Sequence, residues 1–283
     1  MRARIISRQK EKKGYTRQKL IVLSVLTALL LLAAAFAPYL TPHDPYEQNL
    51  SQALQAPSGA HLLGTDRYGR DMLSRVIVGG QTTIFSSLFL VAVTAAVGTA
   101  VGVFCGYLGG KTDSLVMRIS DVFLAFPGMV FAIAIAGVMG GGLGNAVLAL
   151  ACISWPKYAR IARSQVLALR KSTFMEAARL TGSGPVKLVG KHILPNIAGT
   201  VLVTAMLDVG TMMMEIAGLS FLGLGAMPPA AEWGSMMSNG RSMLQTSPWV
   251  ILAPGCAIFL TVVLFNLLGD TIRDVLDPRQ RSR

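Results

Sequence analysis

Long uncharged apolar runs alternate with short charged stretches along this 283-residue chain. Leu20 to Leu40 contains no Asp, Glu, Lys or Arg, and neither do Gln81 to Gly110, Val122 to Pro156 or Pro248 to Leu268. A fifth apolar run, Ile193 to about Gly225, is broken only by Asp208 and Glu215. A helix needs about 20 apolar residues to cross a hydrocarbon core of roughly 30 Å, so each run is long enough to span a membrane. The run from Val122 to Pro156 is too long for one helix, and Gly140-Gly141-Gly142-Leu143-Gly144 interrupts it with the residue type that favours turns. It therefore reads as two helices joined by a short loop. The pattern predicts an all-α polytopic membrane protein with six transmembrane helices. Leu20–Leu40 follows basic residues, and Ala35-Phe36-Ala37 imitates a cleavage site, but its apolar core exceeds the usual 7–15 residues of a signal peptide. It is read as an anchored first helix.

Charge orients this arrangement. Of the 26 Lys and Arg residues, 22 fall in residues 1–19, 111–121, 157–192 and after 269, and only 4 fall in residues 41–80 and 226–247. The positive-inside rule then places both termini in the cytoplasm. The net charge of +12 reports membrane orientation, and nucleic acid is not an expected partner, since no basic face with interleaved aromatics lies outside the loops. Hydrophobic residues at 52% and charged residues at 14% agree with a membrane class. Cys105, Cys152 and Cys256 all lie in apolar runs and read as small hydrophobes, not as a disulfide framework. The expected organisation is a basic cytoplasmic N-terminus over 1–19, a first span over 20–40, an external loop over 41–80, a five-helix core over 81–268 and a cytoplasmic tail over 269–283.

The cytoplasmic loop 157–192 is the most informative polar segment. Residues 164–181 read as an amphipathic helix, with Val166, Leu167, Leu169, Met175, Ala178 and Leu180 set against Arg163, Arg170, Lys171 and Arg179. Gly182-Ser183-Gly184 ends it, and Pro185 suits the first turn of a second short helix. Ala177 and Ala178 leave a low surface that another protein can approach. The residues alone leave two readings, a helix on anionic lipid or a partner surface, and acidic Glu176 leans towards the partner.

Asp208, Met212 and Glu215 stand at i, i+4 and i+7 of the fifth span and share one helix face. Counting about 1.5 Å per residue from Pro195, Asp208 lies some 20 Å into the span. A pore-facing stripe for a cationic substrate and a hydrogen-bonding role inside the bundle both fit. In the external loop His43, Asp44, Glu47 and His61 are metal-capable, but their spacing forms no compact ligand set, and no metal site is expected there. Arg70 and Asp71 read as structural, in a segment leading into the second span. Gly109-Gly110-Lys111-Thr112 is no phosphate loop, since Cys105 stands where a glycine is required and a membrane helix precedes it. No catalytic residues and no cofactor are expected.

Glu176-Ala177-Ala178, Gly182 and Leu194-Pro195, with Pro195 thirteen residues after that glycine, resemble the coupling loop of ABC importer permeases. His192 departs from the general pattern, which prefers Ile, yet His192-Ile193-Leu194-Pro195-Asn196 resembles the dipeptide, oligopeptide and nickel branch. Three further segments resemble the same branch: His61 to Arg75, Leu219 to Gly225 with Glu232-Trp233-Gly234, and Asn266 to Pro278. Their order resembles the second, shorter permease of a pair. The resemblance implies a partner permease subunit, two cytoplasmic ATPase subunits, an external solute-binding protein and a bacterial or archaeal cytoplasmic membrane. It implies that Glu176, Ala177, Ala178, Gly182, Leu194 and Pro195 couple to the ATPase. Leu207-Asp208-Val209-Gly210, Met212-Met213-Met214 and Ala217-Gly218, with Ala231-Glu232-Trp233-Gly234, look closer to nickel permeases, so nickel or a nickel chelate is the expected cargo, with di- or oligopeptides as the alternative. A self-contained channel or secondary transporter remains the reading from a different class; the inverted repeats and broken midplane helices that would support it are not seen.

Overall fold

Proline and glycine set most of the helix boundaries. The computed structural model describes the backbone of residues 2–276 and the side chains of residues 16–276; the tail residues Asp277 and Pro278 and most of the basic N-terminal side chains lie outside the described residues. Eleven helices follow in order: α1 Arg2–Ala35, α2 Ala37–Leu40, α3 Met72–Leu108, α4 Gly110–Ala125, α5 Gly128–Val138, α6 Leu143–Arg170, α7 Thr173–Leu180, α8 Pro185–Lys187, α9 Leu194–Phe221, α10 Trp233–Gly240 and α11 Trp249–Leu276. No strand occurs among the described residues, only an isolated bridge between Thr65 and Asp71.

Among the described residues, four segments are long and apolar enough to cross a membrane: Thr16–Ala35, Met72–Leu108, Pro185–Phe221 and Trp249–Leu276. Taking α4 and α5 together as one broken span gives five, so six spans are not reached. Helix α6 falls short because its apolar half runs into Pro156, Lys157, Arg160 and Arg163. The third run also differs from a straight span. It breaks at Phe126-Pro127, where α4 and α5 meet at 90°. A residue before proline is pushed into extended conformation, and Phe126 sits at ψ 146. The second helix begins at Met72, nine residues before the uncharged run at Gln81, so the external loop is shorter than its expected range. The glycine turn lies where expected, with Gly140, Gly141 and Gly142 all at positive φ between α5 and α6.

The described residues form two compact units, one made of residues up to Ser87 with those from Met206, the other of Leu88–Ala205. In the first, α11 packs against α1 and α10. Glu232, fully buried, caps α10 by accepting from the Gly234 and Ser235 amides at 2.9 and 2.8 Å, and the Trp233 indole donates to the Val76 carbonyl at 2.8 Å. In the second, α3 and α6 touch backbone to backbone. A Cβ on Gly98 would lie 2.4 Å from the Trp155 carbonyl oxygen, and one on Gly102 would lie 2.2 Å from that of Ala159. Glycines four residues apart on α3 thus allow the close approach that small-residue helix seams use in membranes.

Candidate functional site

Helix α7 and the turns after it form a packed hairpin in the second unit. The expected helix over 164–181 is broken in two, because Lys171 and Ser172 end α6 and Ser172 is extended (φ −82, ψ 143). The first half is the end of α6, and only Thr173–Leu180 forms the separate short helix. Gly182, at φ +79, then turns the chain, and Pro185 occupies the first turn of α8. A π-helical turn, Leu188–Ile193, leads into α9 at Leu194.

Burial sorts this hairpin into an anchor and a surface. Met175, Ala178, Leu188, Ile193 and Ile197 are buried against Val103, Ala162 and Val166. Such a cluster fixes the hairpin by apolar burial, with side chains like Met175 contributing on the order of 1.5–3 kcal/mol each. Facing outward are Glu176, Ala177, Arg179 and Gly182, together with Leu180 and Val186, which are 89% and 87% exposed. Two expectations change here. Ala178 belongs to the anchor, so Ala177 alone supplies the low surface, and Leu180 lies outside the apolar face it was counted in. Leu194 and Pro195 are exposed at the start of α9. His192, which departs from the general pattern, meets the Phe174 ring edge-to-face at 5.5 Å and joins α7 to the π-helical turn, a contact that spacing alone does not reveal.

Two ion pairs link the helices leading to this hairpin. The Arg163 guanidinium of α6 donates through Nε and Nη2 to the Asp113 carboxylate of α4, the second bond at 2.6 Å, and Arg160 pairs with Asp121. The Arg170 Nη1 donates to the Gly106 carbonyl at 3.0 Å. The basic residues of the loop are thus partly engaged within the fold.

The stripe on α9 lies in the first unit. Asp208 and Met212 are buried, at 2% and 4% exposure, while Glu215 is half-buried and Met214, one residue before it, is 55% exposed. On the same helix Gly210 faces Val262 and Asn266 of α11, and Leu207 faces Gly269.

The loop before α3 forms a dense polar network in the first unit. Asp66 accepts from the Tyr68 and Arg70 amides at 2.8 and 3.0 Å and pairs with the Arg70 guanidinium at 2.6 Å. Asp71 caps α3, its Oδ2 accepting from the Ser74 amide at 2.8 Å and the Ser74 hydroxyl at 2.7 Å. Burial pushes the Asp71 carboxyl up, but the two Ser74 bonds, the His61 ring and the charge of His43 outweigh it, leaving it below its ordinary value. Arg70 and Asp71 are structural, as the sequence predicts. The histidines are not as predicted: His43 and His61, eighteen residues apart, lie with ring centroids 4.9 Å apart beside Asp71. The His43 amide donates to the Ser74 hydroxyl and the Thr65–Asp71 bridge folds the loop back, an encounter that spacing alone does not reveal.

Residues 98–282 match the family described as binding-protein-dependent transport system inner membrane component, and residues 16–57 match the N-terminal TM domain of oligopeptide transport permease C. The chain belongs to that permease family. It is 44% identical over 256 residues to the probable D,D-dipeptide transport system permease protein DdpC of Escherichia coli K12, covering 90% of this chain and 86% of that one. It is 42% identical over 272 residues to the glutathione transport system permease protein GsiD of Pectobacterium atrosepticum, and 41% identical over 272 residues to the dipeptide transport system permease protein DppC of Alkalihalophilus pseudofirmus. These alignments cover 95% of this chain and 90% and 89% of the relatives. A chain of the inward-facing methionine ABC transporter MetNI superposes with a TM-score of 0.61 at 20% identity, over 73% of this chain and 98% of that one, and so shares the fold. The protein is therefore an inner-membrane permease of the bacterial ABC importer type, not an enzyme. Permeases of this family work with ATPase subunits and a binding protein.

Proposed function

We propose that this permease carries di- or small oligopeptides, forms half of the pathway with a second permease subunit, and is driven by two ATPase subunits, one of which docks on the hairpin from Thr173 to Pro195. The observation that carries the coupling assignment is the outward ridge of Glu176, Ala177, Leu180 and Val186 on a hairpin held from beneath by Met175 and Ala178. An apolar ridge with an acidic edge, presented by a rigid base, is suited to a complementary groove. Among the described residues, nothing covers Leu180, which is 89% exposed.

The cargo assignment rests on relatives. The dipeptide and glutathione permeases named above align over 86–90% of their lengths at 41–44% identity, and those names favour peptides over nickel. Nickel is supported only by the likeness of Leu207 to Gly218 and Ala231 to Gly234. On the α9 stripe, Glu215 is the residue we place on the translocation path, because part of its side chain is open; buried Asp208 and Met212 suit an interior role. The charge pattern supports both termini, and the hairpin, on the cytoplasmic side.

Uptake in a strain lacking the native copy decides between cargoes. The expected outcome is restored uptake of labelled dipeptide with no gain in labelled nickel. Nickel uptake without dipeptide uptake would reverse the assignment.

A further inference from the structure

His43, His61 and Asp71 come from three separate points of the first unit. His43 follows the end of α2, His61 lies in the loop, and Asp71 caps α3. The His61 Nδ1 lies 3.0 Å from Asp71 Oδ1, and the His43 Nδ1 lies 3.8 Å from the same oxygen. One ligand atom from each residue lies within 4.8 Å of the others. Bonds of about 2.0–2.2 Å to imidazole and carboxylate would put tetrahedral ligands roughly 3.3–3.5 Å apart. The two separations from Asp71 Oδ1 bracket that figure, so small side-chain shifts bring all three onto one ion.

The surroundings hold the donors in place. Asp71 Oδ2 is occupied by the Ser74 amide and hydroxyl, which leaves Oδ1 turned to the two rings. The same Ser74 hydroxyl oxygen accepts from the His43 amide at 3.1 Å, tying the first histidine to the start of α3. The far nitrogen of His61, Nε2, faces Gln52 Oε1 at 3.4 Å. Ligating histidines commonly donate their second N–H to such an oxygen, which orients the ring. A hydrogen bond from His61 to Asp71 would by itself account for one buried histidine. It gives no reason for a second imidazole on the same carboxylate oxygen, with the His43 side chain 46% exposed and open to an entering ion.

We propose that His43, His61 and Asp71 bind one divalent first-row transition ion of the zinc class, with a water or outside ligand completing the shell. Two imidazoles and a carboxylate suit such ions far better than Mg²⁺ or Ca²⁺, which prefer oxygen. The ion would clamp residues 43, 61 and 71 together and stiffen the loop between α2 and α3. The site stands whichever solute the permease carries.

The test uses the full chain, purified in detergent without a polyhistidine tag and stripped with chelator. Co²⁺ is titrated in while d–d absorption is followed, and Zn²⁺ is used to displace it. The expected result is one equivalent per chain, displaced by Zn²⁺, with a melting temperature that rises with Zn²⁺ concentration. His43→Ala, at a half-exposed position, should remove that equivalent while melting unchanged in chelator. His61→Gln should remove it as well. His192→Ala, altering the third of the three histidines, should keep it. Ser74→Ala should weaken binding about 10–100-fold, the usual loss for a group that orients a ligand. Absence of a stoichiometric equivalent in the wild-type chain would overturn the proposal, and so would its survival in His43→Ala or its loss in His192→Ala.

Discussion

The hairpin Thr173–Pro195 and the loop Thr41–Asp71 are both polar stretches beside apolar helices, yet they are held by opposite means. The hairpin rests on apolar burial of Met175, Ala178, Leu188 and Ile193, and its outer face is left open with Leu180 and Val186 in solvent. The end of the loop turns charges inward: Asp66, Arg70 and Asp71, with Arg75 of α3 beside them, are each under 10% exposed and bonded to one another or to backbone, while Asp44, Glu47 and Arg67 stay exposed. A segment that satisfies its buried polar groups internally has fixed geometry there, whatever stays open at its surface, as Leu50 and Leu62 do. A segment that buries one face and exposes apolar side chains on the other is complete only when something covers it. That contrast separates a docking surface from a preorganised small site.

Substitutions sharpen the contrast, beginning with the largest effect. Arg70→Ala strips buried Asp66 of its nearer cationic partner, leaving Arg75 at 3.6 Å, and is expected to lower stability by up to roughly 3–5 kcal/mol, read as a fall in the thermal midpoint of the purified chain. Met175→Ala opens a cavity under the hairpin, with an expected loss of about 2–5 kcal/mol and faster proteolysis between residues 173 and 193. If Arg70→Ala proved neutral while Met175→Ala did not, the loop would not be held by its charges. Gly102→Ala forces α3 from the Ala159 carbonyl, an overpacking expected to be worth roughly 1–3 kcal/mol in the same melt. At the small end, Leu180→Ala should change stability by no more than about 0.5 kcal/mol, as exposed substitutions do. Its uptake should nonetheless fall, since the side chain it removes faces outward.

How far residues alone foretold this depends on whether their signal was local. Gly182 and Pro185 carry their conformations with them, so the turn and the second short helix of the hairpin were readable. The start of α9 beside Pro195 and the glycine turn at 140–142 were readable for the same reason. Pro127 held an equally local signal for the 90° break, but an uncharged run masks it when only charge is followed. Gly98, Gly102 and Gly106 likewise carried a spacing of four that marks a close helix seam. The break at Ser172 also carried a local mark, a serine at the N-cap position with Glu176 in the first turn, which apolar periodicity running straight through it hides; Ala178 stays on the apolar face with Met175 and Val166, while Leu180 leaves it. The meeting of His43, His61 and Asp71 was beyond any local reading, because backbone bonds such as His43 to Ser74 and the Thr65–Asp71 bridge bring distant positions together.

Docking of the ATPase on the outward face of α7 is open to cysteine cross-linking. With Cys105, Cys152 and Cys256 replaced, single cysteines at Ala177 and Ala178 are compared in the assembled transporter. Docking there requires that Ala177→Cys forms a cross-link to the ATPase subunit and Ala178→Cys does not. Equal cross-linking at both positions, or none at Ala177 with assembly intact, would contradict it.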